Sequence, residues 1–465
     1  MIDGALYVDH STLKCTDIGN AQRFALRYRD QVRFVAGWKR WLVWDGTCWR
    51  PDDRRQVFEL AKEVTEDIIR WAAPKGENAR EILKWGLKSQ SRDRVSAMVS
   101  LAETIPELVI MPDALDSDPM LVAVANGMID LRTGKLRPHS RDDLTTKSLP
   151  WPFDPDAACP VWTSFLHRVL GGDEDLERFM QRAIGYSLSG EVREHVLFIL
   201  HGTGRNGKST LTKAIQALLG PYAVQALDTL LLDKGTMTSH PTELADLKGA
   251  RIAVCSETPK GRAFDENRVK SLTGGDRITA RRMREDPWSF DPTHKLWICT
   301  NNKPNTREVN EAMRRRLRFI PFEVTISDEE CDPELDAKLR AEMGGILAWA
   351  VRGCLAWQTE GLGQPQKVRE SGEAYFASQD PVRRWVDTAC VKGPNEKDEA
   401  TVLYKAYVTW PEAEPMTQTA FGKKLSELGF ESKSTKRAVV RLGLSLVQRP
   451  QGGQLVDGGQ LRTVF

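Results

Sequence analysis

The fold of this chain is decided by residues 195 to 215, HVLFILHGTGRNGKSTLTKAI. The apolar run at the start of this stretch predicts a buried strand, and the run after Lys208 predicts a helix. Between them, Gly202, Gly207, Lys208 and Ser209 satisfy the pattern GxxxxGK[ST]. Strand, glycine-rich loop and helix in this order predict a phosphate-binding loop.

The residues of this loop suit a nucleoside triphosphate. Glycines allow backbone N–H groups to surround phosphate oxygens, and the positive end of the following helix points at them. We expect Lys208 to reach the β- and γ-phosphates of ATP and Ser209 to bind Mg²⁺. The predicted nucleotide contacts are Gly202, Thr203, Gly204, Arg205, Asn206, Gly207, Lys208, Ser209 and Thr210.

A second apolar strand, in ARIAVCSET, ends just before Glu257. Phosphoryl transfer to water needs a carboxylate at a neighbouring strand end to hold the magnesium shell and to orient the water. Glu257 is the candidate for both roles. Many such elements carry two adjacent acidic residues, and Ser256 takes the first place here, so the group that holds Mg²⁺ is left open. An acidic residue at this place is also compatible with solvated surface.

A third strand, near Leu296 to Cys299, ends in TNNKP. Its Asn301 offers a neutral amide that could sense the γ-phosphate and position the water. Asparagine before proline also has a plain reading as turn chemistry. The position of Asn301 at a comparable strand end favours the functional reading.

Residues 311 to 322, EAMRRRLRFIPF, carry a basic cluster ahead of a further apolar strand. An arginine that enters a neighbouring subunit's site can stabilise charge on the transferred phosphoryl group. Arg315 and Arg316 are the candidates, and such an arginine implies a multi-subunit enzyme.

These motifs together resemble one family. GTGRNGKS, RIAVCSE, VKSLTGGDRITARR, TNNKP and RRRLRFIPF, in this order, resemble the superfamily 3 helicases of the phage and plasmid primase-helicase family, in its poxvirus-type C-terminal region. WLVWDGTCWR and ANGMIDLRTGKLRPH are similar to the domain that precedes the motor in that family. The resemblance implies an AAA+ type P-loop core, a hexameric ring with ATP between subunits, and translocation on single-stranded DNA. It also assigns the finger to Arg316.

The same resemblance places a DNA-contacting hairpin within residues 269 to 290, VKSLTGGDRITARRMREDPWSF. Gly274-Gly275 permits a tight turn, and Trp288 and Phe290 are expected to pack beneath the hairpin. Backbone contacts of this kind suit a motor that must accept any sequence. The candidate phosphate contacts are Lys270, Arg281, Arg282 and Arg284.

Periodicity along the chain predicts four parts, with a core of α/β class. Residues 1–155 form a mixed, mostly helical domain that includes a tryptophan-rich antiparallel sheet at 33–50. Residues 156–330 form the motor core with two leading helices, and residues 331–380 form a helical connector whose end, 364–379, has the composition of a linker. Residues 381–465 fit a winged-helix module, with helices at 402–410 and 417–428 and strand-like pieces split by glycine pairs near the end.

Composition adds exclusions. The 66 basic and 64 acidic residues nearly cancel, so whole-chain charge says nothing about nucleic acid. Eight separated cysteines without a CxxC pair predict reduced thiols and no structural metal. The start lacks a secretion signal and no apolar run is long enough for a membrane span, so a cytoplasmic protein is expected. There is no room for a primase domain, so priming is expected from a separate protein.

The sequence therefore predicts an ATP-dependent DNA helicase of phage, prophage or plasmid replication, acting on single-stranded and forked DNA as a homo-oligomer with ATP and Mg²⁺. One alternative is an initiator or loader, in which ATP only switches an assembly and Lys423, Lys424 and the basic run 433–437 bind DNA. A small-molecule kinase would share the loop but would leave the basic clusters without a task.

Overall fold

The computed structural model describes residues 13–72, 79–233, 242–259, 261–282, 286–306, 310–435 and 438–447. They form two compact units, one of residues 1–304 with 318–368 and one of residues 305–317 with 369–465. Each unit is described by itself. The division into four domains stays a prediction.

The first unit begins with a four-stranded sheet and four helices around one apolar core. Strand β1 pairs antiparallel with β2 and parallel with β4, in the order β3-β2-β1-β4. The strands and turns predicted at 33–50 are thereby confirmed. The elements are α1 Asp17–Tyr28, β1 Val32–Val35, β2 Arg40–Trp44, β3 Trp49–Pro51, α2 Gln56–Ala72, α3 Ala79–Ser89, α4 Arg92–Ala102 and β4 Val109–Ile110.

A small antiparallel sheet follows and leads to two helices ahead of the five-stranded sheet. Its strands are β5 Leu121–Val124, β6 Gly127–Asp130 and β7 Lys135–Arg137, and the helices are α5 Pro160–Val169 and α6 Glu174–Leu188. Hydrogen bonds connect this region to the segment just before β10. The Arg251 guanidinium donates to the carbonyl oxygen of Leu121 at 2.6 Å, and Lys147 Nζ donates to that of Gly249 at 2.6 Å.

The centre of the first unit is a five-stranded sheet in the order β14-β8-β13-β10-β9, in which β8, β13, β10 and β9 run parallel. Strands β8 and β13 are almost wholly buried, as expected for a sheet covered on both faces. The α/β class with a parallel sheet is confirmed. The elements are β8 Leu197–His201, α7 Lys208–Leu219, β9 Ala223–Gln225, α8 Thr242–Ala245, β10 Ile252–Ser256, α9 Glu266–Thr273, β11 Ile278–Ala280, β12 Trp288–Phe290, β13 Lys295–Thr300 and β14 Leu317–Pro321. Helix α10 Glu311–Arg316, which precedes β14 in the chain, belongs to the second unit.

Two further helices, α11 Leu335–Ala341 and α12 Met343–Glu360, pack on this core. Between them, the Glu342 carboxylate accepts the backbone N–H groups of Val161 and Trp162, each at 3.0 Å, and so caps the start of α5. Helices α6 and α12 cross closely, because a Cβ at Gly185 would stand 2.1 Å from the backbone nitrogen of Cys354.

The second unit contains the C-terminal helices and a three-stranded sheet in the order β15-β17-β16. Most of the stretch 364–379, predicted to be the linker-like end of a helical connector, is helix α13, and the boundary between the two units falls inside it. Its buried Val368, Tyr375 and Phe376 recur at helical spacing, a signal that the surrounding polar residues hid. The elements are α13 Gln366–Gln379, α14 Pro381–Ala389, β15 Cys390–Glu399, α15 Ala400–Val408, α16 Gln418–Glu427, β16 Ser432–Ser434 and β17 Val439–Leu446.

His294, just before β13, makes the stability of the first unit depend on pH. Its side chain is 2% exposed, and burial together with Lys295 lowers the pKa of the imidazole to about 4. The unfolded chain binds a proton near pH 6.5, so stability is full above that pH and falls as the pH drops towards 4. We expect His294→Leu to remove about 2 kcal/mol of the stability difference between pH 7.5 and pH 5.

Urea unfolding followed by tryptophan fluorescence at both pH values measures this effect. His167→Gln is the matched control, because the His167 side chain is 64% exposed. An unchanged pH dependence in His294→Leu would contradict the assignment.

Candidate nucleotide site and nucleic-acid interface

The glycine-rich loop joins the end of β8 to the start of α7 through a backbone that side chains would obstruct. A Cβ at Gly202 would stand 2.2 Å from the carbonyl oxygen of Phe322. At Gly207, φ is +82° and a Cβ would stand 2.5 Å from Val169 Cγ1 in α5. Glycine is therefore required at both ends of the loop.

Lys208 is the first residue of α7, and its side chain reaches back into the glycine-rich loop. It is 5% exposed, and its Nζ donates to Gly202 O at 3.0 Å and to Asn206 Oδ1 at 2.8 Å. Asn206 Nδ2 donates in turn to Phe322 O at 3.0 Å, which ties the loop to the chain just after β14. Burial lowers the pKa of the Lys208 ammonium. A cation held among neutral acceptors is ready for an anionic ligand.

The loop opens onto a cavity of about 300 Å³ that most of the predicted site residues line. The structure brings Glu257 and Asn301 to the same cavity as the loop, although they lie about fifty and ninety positions further along the chain. Gly202 and Thr203 belong to the loop but not to the lining. The lining residues are Gly204, Arg205, Asn206, Gly207, Lys208, Ser209, Thr210, Glu257, Cys299, Thr300 and Asn301.

Glu257 adopts a backbone conformation that is unusual for its residue type. Its φ is +57°, in the left-handed region, and its N–H donates to Cys299 O at 2.8 Å. Holding a non-glycine residue there costs about 1 to 3 kcal/mol, and such strain concentrates at functional sites. Ser209 and Glu257 provide hydroxyl and carboxylate oxygens at one cavity, a donor set that suits Mg²⁺.

Two threonines that the sequence reading missed hold the strand ends together. The hydroxyl oxygens of Thr258 and Thr300 are 2.5 Å apart, and they lie 2.6 Å and 2.8 Å from Asn302 O. This contact fixes the ends of β10 and β13, and with them Glu257 and Asn301. A threonine next to each predicted site residue was the only available signal.

Ser256, in the place of a second acidic residue, turns to the opposite neighbour of β10. Its hydroxyl accepts from Gln225 Nε2 at 3.2 Å, and its N–H donates to Asp228 Oδ1 at 3.0 Å. Asp228 is a carboxylate close to this strand end that no motif indicated. Glu257 lines the cavity and Ser256 does not.

Two further residues shape the charge around the loop. His201 ends β8, and burial, with Lys303 and Lys208 nearby, lowers the pKa of its imidazole to about 3. His201 is therefore neutral at physiological pH and adds no positive charge beside Lys208 and Lys303. Lys303 Nζ is 5.3 Å from the centroid of the Phe319 ring.

Arg315 and Arg316 occupy the last turn of α10 in the second unit. Asn310 caps this helix by accepting from Met313 N at 2.9 Å. Arg315 is exposed, whereas Arg316 is partly buried and donates to Ala312 O at 3.0 Å. Their predicted role at a subunit boundary is not tested by a single chain.

The predicted basic hairpin is present as β11 and β12, paired antiparallel. Arg281 and Arg282 directly follow β11 and are exposed, whereas Lys270 is partly buried on α9. Gly275 has φ +86°, as a tight turn requires. Phe290 is buried and Trp288 is partly exposed, so only the former packs as expected. Arg284 lies outside the described residues.

Two family models match separate parts of the chain, and several viral proteins are similar to it in sequence. Residues 21–171 match the family described as "D5 N terminal like", and residues 200–316 match a "Family of unknown function (DUF5906)". "Putative helicase 184R" of Invertebrate iridescent virus 6 is 26% identical over 383 residues, covering 76% of this chain and 37% of that protein. A "Putative primase" of African swine fever virus is 23% identical over 345 residues, covering 67% and 35%.

Solved structures agree with these matches. The apo structure of the NrS-1 C terminal region (305-718) superposes with a TM-score of 0.53 at 9% identity, covering 89% of this chain and 96% of that one. Together the matches support a D5-type primase-helicase C-terminal region.

The chain spans about a third of the length of these viral relatives, 37% and 35% in the two cases given. At 9% identity, the likeness to the NrS-1 region shows the fold alone.

Neither a metal-binding cluster nor a membrane-spanning helix is found among the described residues. In the portion that the structure describes, no group of three His, Cys, Asp or Glu side chains is arranged to hold a metal ion. None of the described helices has the length and apolar character needed to cross a bilayer.

Proposed function

We propose that this chain is the ATP-hydrolysing motor of a DNA replication helicase of superfamily 3. In this proposal ATP and Mg²⁺ bind at the loop, hydrolysis is completed by an arginine of an adjoining subunit in a ring, and turnover drives translocation on single-stranded DNA. A hexamer and a site on forked DNA belong to the same proposal.

The convergence of three strand ends at one cavity carries the proposal. Lys208 and Ser209 follow β8, Glu257 follows β10 and Asn301 follows β13. In the sheet, β13 lies between β8 and β10. A cation, a hydroxyl, a strained carboxylate and an amide are the groups that phosphoryl transfer to water requires. The strand order β14-β8-β13-β10-β9 supports the interpretation as an AAA+ type P-loop core.

The predicted DNA contacts favour a motor over a small-molecule kinase. Arg281 and Arg282 are exposed beside the β11–β12 hairpin, where cations would meet a phosphate backbone. A kinase for a small molecule has no use for this exposed basic element.

Glu257→Gln tests the proposal, because it removes the charge while keeping the side chain's size. We expect ATP binding to persist, ATP hydrolysis to fall about 10²-fold, and displacement of a strand from a forked duplex to be lost. Phosphate release and gel-resolved strand displacement measure the two effects. Glu329→Gln, an exposed carboxylate in the same unit, is the control.

Asp228→Asn, measured in parallel, addresses the metal. If Asp228→Asn raises the Mg²⁺ concentration needed for turnover and Glu257→Gln does not, the metal role moves to Asp228. Strand displacement by Glu257→Gln at the wild-type rate would reject the catalytic assignment.

The initiator or loader is the second candidate, and the second unit favours it. The order helix α14, strand β15, helices α15 and α16, then strands β16 and β17 fits a winged-helix module. Helix α16 buries Phe421 and Leu425 and exposes Lys423, as a helix that enters the major groove would. Lys424 is partly buried and Lys433 is exposed, whereas residues 436 and 437 lie outside the described residues. Tight binding to blunt duplex DNA with ATP turnover but without strand displacement would favour this candidate.

A further inference from the structure

Three residues distant in sequence meet beside the hairpin. Lys248 Nζ is 4.8 Å from the ring centroid of Trp288 and 5.2 Å from that of Trp38. Trp38 ends a short 3-10 turn between β1 and β2, Lys248 lies between α8 and β10, and Trp288 begins β12. The fold therefore places an ammonium between two indole rings, one from the N-terminal sheet and one from the hairpin.

This cluster stays open to solvent. Trp38 is 41% exposed, Lys248 is exposed and Trp288 is partly exposed. A contact that served only to fasten the two regions would gain most by burying the indoles, since apolar burial is the larger stabilising contribution. The Lys248 ammonium covers only part of each ring. The exposed part of the Trp38 indole can therefore contact another planar group.

The turn that presents Trp38 is held in place by its neighbours. A Cβ at Gly37 would stand 2.8 Å from Pro112 Cγ, so the turn lies against this proline. Lys39 follows with φ +51°, in the left-handed region. A tight turn against a proline, closed by a strained residue, presents the indole in a fixed position.

The charges around the cluster favour a polyanion. Lys39, Lys248, Arg281 and Arg282 are all exposed. The Asp246 carboxylate lies 3.9 Å from the Arg282 guanidinium, and both side chains are more than half exposed. The Asp113 carboxylate attracts the Lys248 ammonium electrostatically. An exposed ion pair of that length contributes little, so the cations are available to phosphates.

We propose that Trp38, with Lys248 and Trp288, forms a base-stacking site for single-stranded nucleic acid that extends the hairpin contact. This inference rests on the proposed function. Bases stack on Trp38, while Lys248 and Arg282 contact the phosphates. Stacking on aromatic rings accepts every base, as a motor that moves along any sequence needs. A duplex hides its base faces, so the site selects single strands.

Binding of a fluorescent dT20 oligonucleotide to the full chain, followed by anisotropy at 50 mM and 150 mM salt, tests the site. We expect Trp38→Ala to weaken binding about 10-fold at both salt concentrations, because stacking releases no counterions. Trp38→Phe should lose less than about 3-fold, since it keeps a ring. Lys248→Gln should reduce the slope of log affinity against log salt by about one.

Trp85→Ala is the matched control, because this indole also lies against a cation, with Arg94 4.5 Å from its ring centroid. Its oligonucleotide affinity should equal that of the wild type, and thermal unfolding of each variant reports folding. Wild-type affinity in Trp38→Ala overturns the stacking site and, with a lowered Tm, assigns the cluster to fastening alone. In that case the helicase proposal stands, whereas failure of the wild-type chain to bind dT20 overturns both.

Discussion

Lys208→Ala should reduce ATP turnover by at least about 10³-fold. The Lys208 ammonium is the cation that the loop encloses, and alanine leaves the acceptors at Gly202 and Asn206 without their donor. Arg205 also lines the cavity, but its exposed guanidinium does not share the buried position that the Lys208 ammonium occupies inside the loop. Phosphate release under saturating Mg²⁺ and ATP measures the loss.

Lys213→Ala provides the control, since Lys213 is an exposed lysine on the same helix, α7. It should hydrolyse ATP as the wild type does. Normal turnover by purified Lys208→Ala would reject the phosphate-loop assignment and the helicase proposal with it.

Arg316→Ala should leave nucleotide binding intact and lower hydrolysis by about 10³- to 10⁵-fold, as loss of an arginine finger does. The arginine neutralises charge that develops only in the transition state, so ground-state binding does not need it. Binding of a fluorescent ATP analogue, set against phosphate release, separates the two effects.

Mixing inactive variants tests whether the site is shared. In an equal mixture of Lys208→Ala and Arg316→Ala subunits, about one interface in four combines an intact loop with an intact finger, so activity should reappear. Arg314→Ala, on the same helix but with its guanidinium 4.7 Å from the Phe376 ring, should retain hydrolysis. Full activity in a strictly monomeric preparation would contradict the interface.

The strand ends around the nucleotide loop were predictable because they obey local rules. A continuous apolar run marks a covered strand, and a polar residue directly after it falls at the carboxyl edge of a parallel sheet. Glu257 and Asn301 were found in this way, and both line the cavity. Their roles in hydrolysis, and that of Arg316, stay predictions.

Features that depend on contacts between distant segments could not be predicted from the sequence. Nothing near Trp38 indicates that Lys248 will stand over its ring, and nothing near Ser256 indicates the Asp228 carboxylate. Strand β15 was missed for a related reason. Its residues, CVKGPNEKDE, include glycine, proline and several charges, and it is a strand because β17 pairs with it across an irregular register.

The carboxylate of Glu342 and the backbone of Gly207 lie against opposite ends of one helix, α5. The Glu342 carboxylate accepts hydrogen bonds from the first turn of α5. Val169, in the last turn of α5, lies close to Gly207. A ten-residue helix is a stiff rod about 15 Å long. Helix α5 therefore links the junction of α11 and α12 to the glycine-rich loop through a single rigid element.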